Sequence, residues 1–325
     1  KLTKEEIAER SNIKGVWFEE DYRRVYPLNS TASHLVGFTY TGNSADWGIE
    51  GYYSSTLNGV NGRQFGYYNS DADVEQNIID PINGNSVEST IDLNIQQVVE
   101  KYISNFMDGM ANGPRGAEGA ANVGVIVANP KNGEILAMAT DNPYDLNNPR
   151  DLTSYYSQDE INGMDNDTML ENLYGIWKNY CISDAFEPGS TVKPLTIGAA
   201  LDADVVQPSD TFVCDGYQMF GGTRIRCSIY PGAHGTETLS DLIKHSCNDG
   251  LMQIGALLGP EEFLKYQKIF NFGATTGIDL PGEATGILHT EESLSSGSTE
   301  LASASFGQGY TCTMIQEIGR ASCRE

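Results

Sequence analysis

The sequence predicts an α+β fold in which an irregular β-containing module precedes a larger domain. Residues 1–85 are rich in Tyr, Gly, Asn and Asp and contain only short strand-like pieces. Within residues 123–139, two hydrophobic stretches flank an Asn-Pro-Lys-Asn-Gly turn, which is typical of a β-hairpin. Apolar residues at helical spacing follow Asn94 and Lys193, and they predict a helix at each place.

Composition excludes two classes of partner. The 325 residues carry a formal net charge of −24 at pH 7, and such an acidic chain repels the phosphates of nucleic acids and of anionic lipids. The longest apolar run, Val123–Ala128, is too short to span a bilayer and is typical of a buried strand. The opening residues, Lys1-Leu-Thr-Lys-Glu-Glu, show no signal-peptide pattern.

In the first module we expect structure rather than chemistry. Lys4–Asn12 is predicted to form a helix, and Gly15–Pro27 an extended segment. The polar residues Arg24, His34 and Glu50 have no nucleophile near them in sequence, so structural salt bridges are their expected role.

The larger domain is predicted to begin near Ser86. Val87–Leu93 alternates polar and apolar residues, as a strand does. Asn94–Met107 has helical spacing, with its first residue or Asp92 as the N-cap. Residues 141–172 are polar and punctuated by Asn, Asp and Pro, which predicts a surface loop with a short helix.

The strongest chemical signal is the run from Phe186 to Pro194, Phe-Glu-Pro-Gly-Ser-Thr-Val-Lys-Pro. Its Pro-Gly pair predicts a turn, after which Ser190 and Lys193 lie on one face of a starting helix. This spacing lets a neutral lysine amine take the proton of the serine hydroxyl, which is otherwise a weak nucleophile. The helix N-terminus favours an oxyanion and lowers the lysine pKa. Ser-x-x-Lys alone also arises by chance, about once in a chain of this size.

A second motif is Ser246-Cys-Asn248, predicted to lie in a loop after a helix that begins at Leu239. Ser and Asn are common in ordinary turns, so the triplet alone is weak evidence. In chemical terms, Ser246 can relay a proton and the Asn248 amide can hold a substrate carbonyl.

Taken together, these motifs resemble those of the class B penicillin-binding proteins. Glu-Pro-Gly-Ser-Thr-x-Lys-Pro resembles the nucleophile motif of this family, and Ser-x-Asn follows it in the family's order. Further matching stretches are Arg24-x-Tyr-Pro, His34-x-x-Gly-Phe, Gly48-Ile-Glu, Leu57-x-Gly-x-x-Gly, Gly273-Ala-x-Thr-Gly-Ile-Asp-Leu-Pro-Gly-Glu and Ser305-Phe-Gly-Gln-Gly. The stretches before residue 65 resemble the pedestal, or dimerisation, module that precedes the catalytic domain in this class.

The resemblance implies a penicillin-recognising serine transpeptidase fold, an antiparallel sheet with helices on both sides. It assigns residues 1–85 to part of the pedestal and 86–325 to a transpeptidase domain that is incomplete at its C-terminus. It also implies a membrane anchor ahead of this chain, a position on the extracytoplasmic face of the bacterial membrane, and cell-wall synthesis proteins as partners of the pedestal.

The same resemblance implies the reaction. Ser190 is expected to attack the carbonyl between the two D-alanines of a peptidoglycan stem peptide, with Lys193 as its base and Ser246 as a relay. β-Lactams are expected to acylate the same serine, and no cofactor is expected. The expected substrate-binding residues are Asn248, Gly307, Gln308 and Gly309.

One family motif is not found. No Lys-Thr-Gly or Lys-Ser-Gly triplet occurs in the 325 residues, whereas in the family it supplies a second cation beside an oxyanion-hole N–H. We therefore expect that this chain alone does not complete catalysis, and a non-catalytic scaffold stays an alternative. The other alternative is a β-lactamase or D,D-carboxypeptidase. The pedestal-like stretches and the lack of a Glu-x-x-x-Asn motif between Ser246 and Ala304 disfavour it.

The six cysteines are scattered, with no Cys-x-x-Cys, and the four histidines have no ligand spacing to them, so no metal site is expected. Cys214 and Cys227 flank a Gly221-Gly222 turn and are predicted to face each other across a hairpin. Outside the cell this arrangement favours a disulfide, with two small buried side chains as the alternative. Cys247 is expected to stay reduced.

Overall fold

The structure is a computed structural model that describes residues 23–40, 44–68, 74–111, 120–296 and 298–319. The predicted helix over Lys4–Asn12 lies outside these residues, as does most of the extended segment predicted over Gly15–Pro27.

Helices and antiparallel strand pairs make up the described chain. The helices are α1 (Ser33–Val36), α2 (Gly48–Tyr52), α3 (Ser54–Leu57), α4 (Leu93–Ala111), α5 (Gln158–Gly163), α6 (Asn166–Trp177), α7 (Tyr180–Ser183), α8 (Lys193–Asp202), α9 (Leu239–Lys244), α10 (Asn248–Ile269), α11 (Glu291–Ser296), α12 (Ser298–Ala304) and α13 (Met314–Gly319). The strands are β1 (Arg63–Tyr68), β2 (Val74–Ile79), β3 (Gly124–Ala128), β4 (Ile135–Thr140), β5 (Ala185–Phe186), β6 (Thr211–Cys214), β7 (Tyr217–Phe220), β8 (Thr223–Arg226), β9 (Gly235–Thr238) and β10 (Cys312–Thr313). They pair antiparallel as β1–β2, β3–β4, β5–β10, β6–β9 and β7–β8, which confirms the predicted α+β class.

The first module contains short helices where strand-like pieces are predicted. Among the described residues of this module, β1 and β2 are the one antiparallel strand pair, whereas the stretches around Leu35 and Ile49 form α1 and α2. The reason lies in Gly37 and Gly48, which have φ of 71° and 60° and turn the chain sharply beside each other. A Cβ on Gly37 would lie 1.9 Å from the Trp47 carbonyl oxygen, so only glycine permits this approach.

One predicted salt bridge of this module is present, and one polar residue has another role. Arg24 Nε lies 2.8 Å from Glu50 Oε1, and the glutamate is buried. His34 is also buried, but its Nε2 lies 2.9 Å from the carbonyl oxygen of Ile176. Burial lowers the pKa of His34 to about 4, so the ring is neutral at pH 7 and makes no ion pair.

The segment over residues 141–172 has the predicted loop, over 141–157, and the predicted short helix, but it also has a second helix and more burial than its polarity predicts. It contains α5 and most of α6, and its apolar side chains share a core with the first module. The polar residues that suggest a loop are helix caps: Ser157 forms a capping box with Glu160, and Asp165 accepts from the Thr168 N–H. This core contains Tyr26, Phe38, Tyr144, Leu146, Leu152, Leu173, Ile176 and Trp177.

The predicted strand over Val87–Leu93 is also wrong. Two of its residues bond to β4 without forming a strand: the Thr90 hydroxyl donates to the Ile135 carbonyl at 2.7 Å, and the Asp92 N–H donates to the Leu136 carbonyl at 2.9 Å. Asp92 instead caps α4, because its Oδ1 accepts from the Asn94 N–H at 2.8 Å. The cap and the hairpin of β3 and β4 confirm the other predictions for this region.

The helix α8 lies at the centre of the larger domain. One side of it packs against α10, β6 and α9 through Ile197 and Ala200, and another packs through Ala199 against the second half of α10. That half begins after a kink at Gly259, whose φ is 77°. Among the described residues, none of the helices combines the length and the apolarity needed to cross a bilayer.

Candidate active site

Ser190 lies in a tight turn that leads directly into α8. Gly189–Val192 forms one turn of 3-10 helix, and Gly189 begins it with φ of 61°. The turn is held from outside, because the Gly189 N–H donates to the Gly307 carbonyl at 2.9 Å. Just before it, β5 pairs with β10 through Phe186 and Cys312. The predicted turn and helix start are therefore confirmed.

Lys193, the first residue of α8, is buried at 1 % exposure. Its Nζ donates to the Ser246 carbonyl at 2.7 Å, to Ser246 Oγ at 2.9 Å and to Asn248 Oδ1 at 2.6 Å. Burial disfavours the ammonium form and lowers the pKa of Lys193 from its ordinary value of 10.5 to about 8. Near neutral pH this lysine therefore changes protonation state easily, as a general base must.

Ser246 connects the lysine to the nucleophile. Its Oγ donates to Ser190 Oγ at 2.8 Å, so an unbroken line of hydrogen bonds runs from Lys193 through Ser246 to Ser190. The loop lies between α9 and α10, where the Ser-x-Asn motif is predicted. The structure thus brings together three residues that are 3 and 53 positions apart in the chain.

A buried carboxylate that sequence reasoning missed anchors the motif loop. Asp249 is fully buried and accepts from the Asp215 N–H at 2.9 Å, Gln218 Nε2 at 2.7 Å and Gln253 Nε2 at 2.8 Å. The first two bonds attach the start of α10 to the link between β6 and β7 and to β7 itself, and the third lies within α10. An aspartate directly after Ser-x-Asn is the only sequence signal for this anchor, and a helix N-terminus often carries one anyway.

Gly307, Gln308 and Gly309 are predicted to bind substrate, and two of them contact the turn that holds Ser190. Gly307 has φ of 92°, and a Cβ there would lie 2.0 Å from the Gly189 carbonyl oxygen. The Gly309 N–H donates to Glu187 Oε1 at 2.8 Å. Gln308 is exposed between them. Their contacts are with the turn itself, and a role in substrate binding stays a prediction.

The expected disulfide between Cys214 and Cys227 is absent, since both thiols are free. The hairpin around Gly221-Gly222 is shorter than predicted and ends where Tyr217 pairs with Arg226. Cys214 precedes this hairpin in β6 and pairs instead with a residue of β9. The two cysteines therefore do not occupy opposed positions of one strand pair.

Although no metal site is predicted from their spacing in the sequence, three cysteines and one histidine lie together in the structure. Ligand atoms of Cys214, Cys227, His234 and Cys247 all lie within 4.8 Å of one another. Sequence spacing did not reveal this cluster, because separate turns and strand ends bring its members together. The available signal was the concentration of three cysteines and two histidines within residues 214–247. Cys247 has a free thiol, as predicted.

Comparisons with known proteins agree with this geometry. Residues 123–322 match the family model described as the penicillin binding protein transpeptidase domain. The chain is 34 % identical to stage V sporulation protein D of Bacillus subtilis over 321 residues, 96 % of this chain and 44 % of that protein. It is 25 % identical to the peptidoglycan D,D-transpeptidase FtsI of Escherichia coli, over 96 % of this chain and 47 % of the relative. The chain thus spans less than half the length of these relatives.

Solved structures share the fold. A peptidoglycan synthetase from Bifidobacterium adolescentis superposes with a TM-score of 0.74 at 23 % identity, covering 92 % of this chain and 50 % of that one. Penicillin binding protein 3 from Mycobacterium tuberculosis in complex with aztreonam gives a TM-score of 0.69 at 24 % identity, covering 93 % and 58 %. At these identities the likeness concerns the fold alone. The family match and the Bacillus subtilis relative show that this chain belongs to the penicillin-binding protein transpeptidase family, in its class B.

Proposed function

We propose that the protein is a peptidoglycan D,D-transpeptidase that works through an acyl-serine intermediate. The observation that carries this proposal is the hydrogen-bonded line from Lys193 Nζ through Ser246 Oγ to Ser190 Oγ. It joins a nucleophile, a relay and an amine with a lowered pKa, which are the parts that acyl transfer requires.

The line transfers a proton in either direction. When Lys193 is neutral, the Ser246 hydroxyl donates to its Nζ and the Ser190 hydroxyl donates to Ser246. As Ser190 Oγ bonds to the substrate carbonyl carbon, its proton passes to Ser246 and the Ser246 proton passes to Lys193. The terminal D-alanine then leaves with a proton returned along the same line, and the acyl group stays on Ser190.

An amine from a second stem peptide completes the cycle. Its nitrogen attacks the acyl-serine carbonyl, its proton enters the Lys193–Ser246 line, and Ser190 regains a proton as it is expelled. Asn248 is placed to help in both steps, because its carboxamide oxygen already accepts from Lys193 and its amide nitrogen is left to donate to a substrate carbonyl.

We further propose that the protein acts on the extracytoplasmic face of a bacterial membrane and binds a cell-wall synthesis protein through its first module. A penicillin-binding protein 2 from Helicobacter pylori has been solved in complex with MreC, and it shares this fold. The hairpin of β1 and β2 exposes Phe65 and Ile78 at 50 % and 63 %. We expect Phe65→Glu and Ile78→Glu to reduce co-purification of a partner, whereas Tyr102→Glu on α4 should not; equal recovery from all three contradicts this part.

A fluorescent penicillin distinguishes the candidate activities. The assay uses the chain extended through a family strand that carries Lys-Thr-Gly, which is called the extended chain below. A stable covalent adduct supports a transpeptidase, rapid hydrolysis of the reagent supports a β-lactamase, and the absence of both from the folded extended chain supports a scaffold.

A further inference from the structure

Three cysteines and one histidine converge directly behind the Ser246–Asn248 loop. Cys214 is the last residue of β6, Cys227 follows β8, His234 precedes β9, and Cys247 is the middle residue of the motif itself. The three cysteines are at most 3 % exposed, and the His234 side chain is 12 % exposed. Four elements of the fold therefore direct a donor atom to one buried point.

The distances within this cluster are those of ligands around one ion. Cys227 Sγ lies 3.9 Å from Cys247 Sγ, and His234 Nδ1 lies 3.5 Å from Cys214 Sγ and 3.8 Å from Cys227 Sγ. Tetrahedral zinc, with bonds of about 2.3 Å to sulfur and 2.0–2.1 Å to nitrogen, separates two sulfurs by about 3.8 Å and sulfur from nitrogen by about 3.6 Å. A disulfide instead requires about 2.05 Å between its sulfurs.

A buried carboxylate, Glu237, lies beside the cluster. Glu237 is 2 % exposed, and its Oε1 pairs with His245 Nδ1 at 2.5 Å. Its Oε2 is buried without a hydrogen-bond partner and lies 3.7 Å from His234 Nδ1. A buried carboxylate oxygen of this kind is costly when it is unpaired. Three thiolates and one neutral imidazole around a divalent ion have a net charge of −1, so the ion does not compensate this carboxylate, and the positions of the four donor atoms alone indicate the ion.

We propose that Cys214, Cys227, His234 and Cys247 bind one zinc ion. Thiolate-rich tetrahedral sites select zinc among the common divalent metals, and four protein ligands leave no open position, which is typical of a structural site. Binding releases the three thiol protons to solvent. The N-terminus of α10 suits the resulting charge, because the Gly250 N–H already donates to Cys247 Sγ at 3.4 Å.

The position of Cys247 gives the ion its role. Its neighbours Ser246 and Asn248 are the two residues that hydrogen-bond to the Lys193 amine. A metal bond at Cys247 ties this loop to β6, β8 and β9, and so fixes the partners of the lysine without contacting substrate. The zinc site is thus a positioning device, and it stands on its own geometry whether or not the proposed transpeptidase activity holds.

Metal analysis tests the ligand set directly. We expect the purified 325-residue chain to contain one zinc per molecule by inductively coupled plasma mass spectrometry. Cys214→Ser, Cys227→Ser and His234→Ala should each lose most of it, whereas Cys181→Ser and Cys312→Ser, which change buried cysteines outside the cluster, should keep it. Circular dichroism restricts the comparison to folded variants. Folded wild-type protein without zinc, zinc retained by the ligand variants, or iron in its place overturns the proposal.

Cobalt substitution keeps the test independent of how the variants fold. Chelated wild-type protein titrated with Co²⁺ should develop thiolate-to-cobalt charge-transfer bands and tetrahedral ligand-field bands that saturate at one equivalent. Peptide mapping without reductant should find all three cysteines unbridged. A Cys227–Cys247 disulfide in the freshly purified protein, or cobalt spectra without sulfur charge transfer, contradicts the site.

Hydrogen exchange tests the positioning role without any need for catalysis. Removal of zinc should accelerate amide exchange in residues 246–250 by about tenfold or more, because the loop then opens locally. The helix α6, which lies in a different core, should exchange at an unchanged rate. Equal acceleration in residues 246–250 and in α6 indicates general destabilisation. No acceleration in either segment indicates that the ion does not hold the loop in place. Each result overturns the positioning role.

Discussion

Ser246 donates a hydrogen bond from its Oγ to Ser190 Oγ, 2.8 Å away, and does so from a left-handed backbone conformation with φ of 53°. Such a conformation costs an L-residue other than glycine about 1–2 kcal/mol. Glycine would remove that cost, but it would also remove the hydroxyl that links Lys193 to the nucleophile. The strained backbone at Ser246 is therefore explained by the need to place its Oγ between Lys193 and Ser190.

Loss of the Ser246 hydroxyl should slow acylation strongly. We expect Ser246→Ala in the extended chain to lower the second-order rate with a β-lactam by about 10²–10⁴-fold, the usual contribution of a positioned acid–base group. The matched control is Ser240→Ala, since Ser240 is exposed on the neighbouring helix α9. Stopped-flow acylation measures both rates, and a Ser246→Ala rate within threefold of the control would show that the relay is not used.

The pH dependence of acylation should follow Lys193. Its amine accepts a proton only when neutral, and burial lowers its pKa to about 8. The rate should therefore rise with pH and level off above about pH 9, and below the pKa it should fall about tenfold per pH unit. Rates measured from pH 6 to pH 10, with circular dichroism to confirm folding, test this. A flat profile, or a midpoint near the ordinary lysine value, contradicts the assignment of the base.

Substitution of Gly307 should displace the nucleophile turn in addition to straining the backbone at residue 307. Its φ is 92° and a Cβ would lie 2.0 Å from the Gly189 carbonyl oxygen. Gly133 offers a matched control, because its φ is 77° but nothing lies within 4 Å of its Cβ position.

We expect Gly133→Ala to lower the free energy of unfolding by about 1–2 kcal/mol through backbone strain alone. Gly307→Ala should lower it by more, because its Cβ also clashes with the Gly189 backbone. Only Gly307→Ala should also slow acylation, by at least tenfold, since it displaces Ser190. Denaturant titration and acylation kinetics separate the two effects, and equal acylation rates would show that the turn tolerates the displacement.

Extension of the chain through a strand that carries Lys-Thr-Gly should add an oxyanion-hole donor. We expect residues 1–325 alone to react with a β-lactam at least about a hundredfold more slowly than the extended chain, which is the usual loss when one such donor is missing. Equal second-order rates would show that the segment from residue 1 to residue 325 already contains every group that acylation needs.

The sequence predicted the turns of the active site more accurately than it predicted the segments that pack around them. The Pro-Gly turn before Ser190, the helix from Lys193 and the loop that holds Ser246 have short-range causes, so their residues indicate them directly. Asp92 as the cap of α4 is a similar case. In the nucleophile run, turn chemistry and helical spacing agree with one another, and the structure follows both.

Predictions failed where tertiary contacts decide the outcome. Ser157 and Asp165 suggest a loop by composition, yet they cap helices whose apolar faces are buried against the first module. Cys214 and Cys227 flank a turn, yet Cys214 pairs with β9. The cysteine–histidine cluster depends on the same long-range pairing, which spacing along the chain does not reveal. Asp249 and Glu237 were missed because nothing local distinguishes a buried carboxylate from an exposed one.

The site of the penicillin adduct tests the role of Ser190 as nucleophile most directly. The extended chain is labelled with a β-lactam, digested and analysed by tandem mass spectrometry, alongside Ser190→Ala and the Ser240→Ala control. We predict a single adduct on Ser190 in the wild-type and control proteins, and none in Ser190→Ala. An adduct that persists in Ser190→Ala, or that maps to Ser246, would contradict the assignment of the nucleophile.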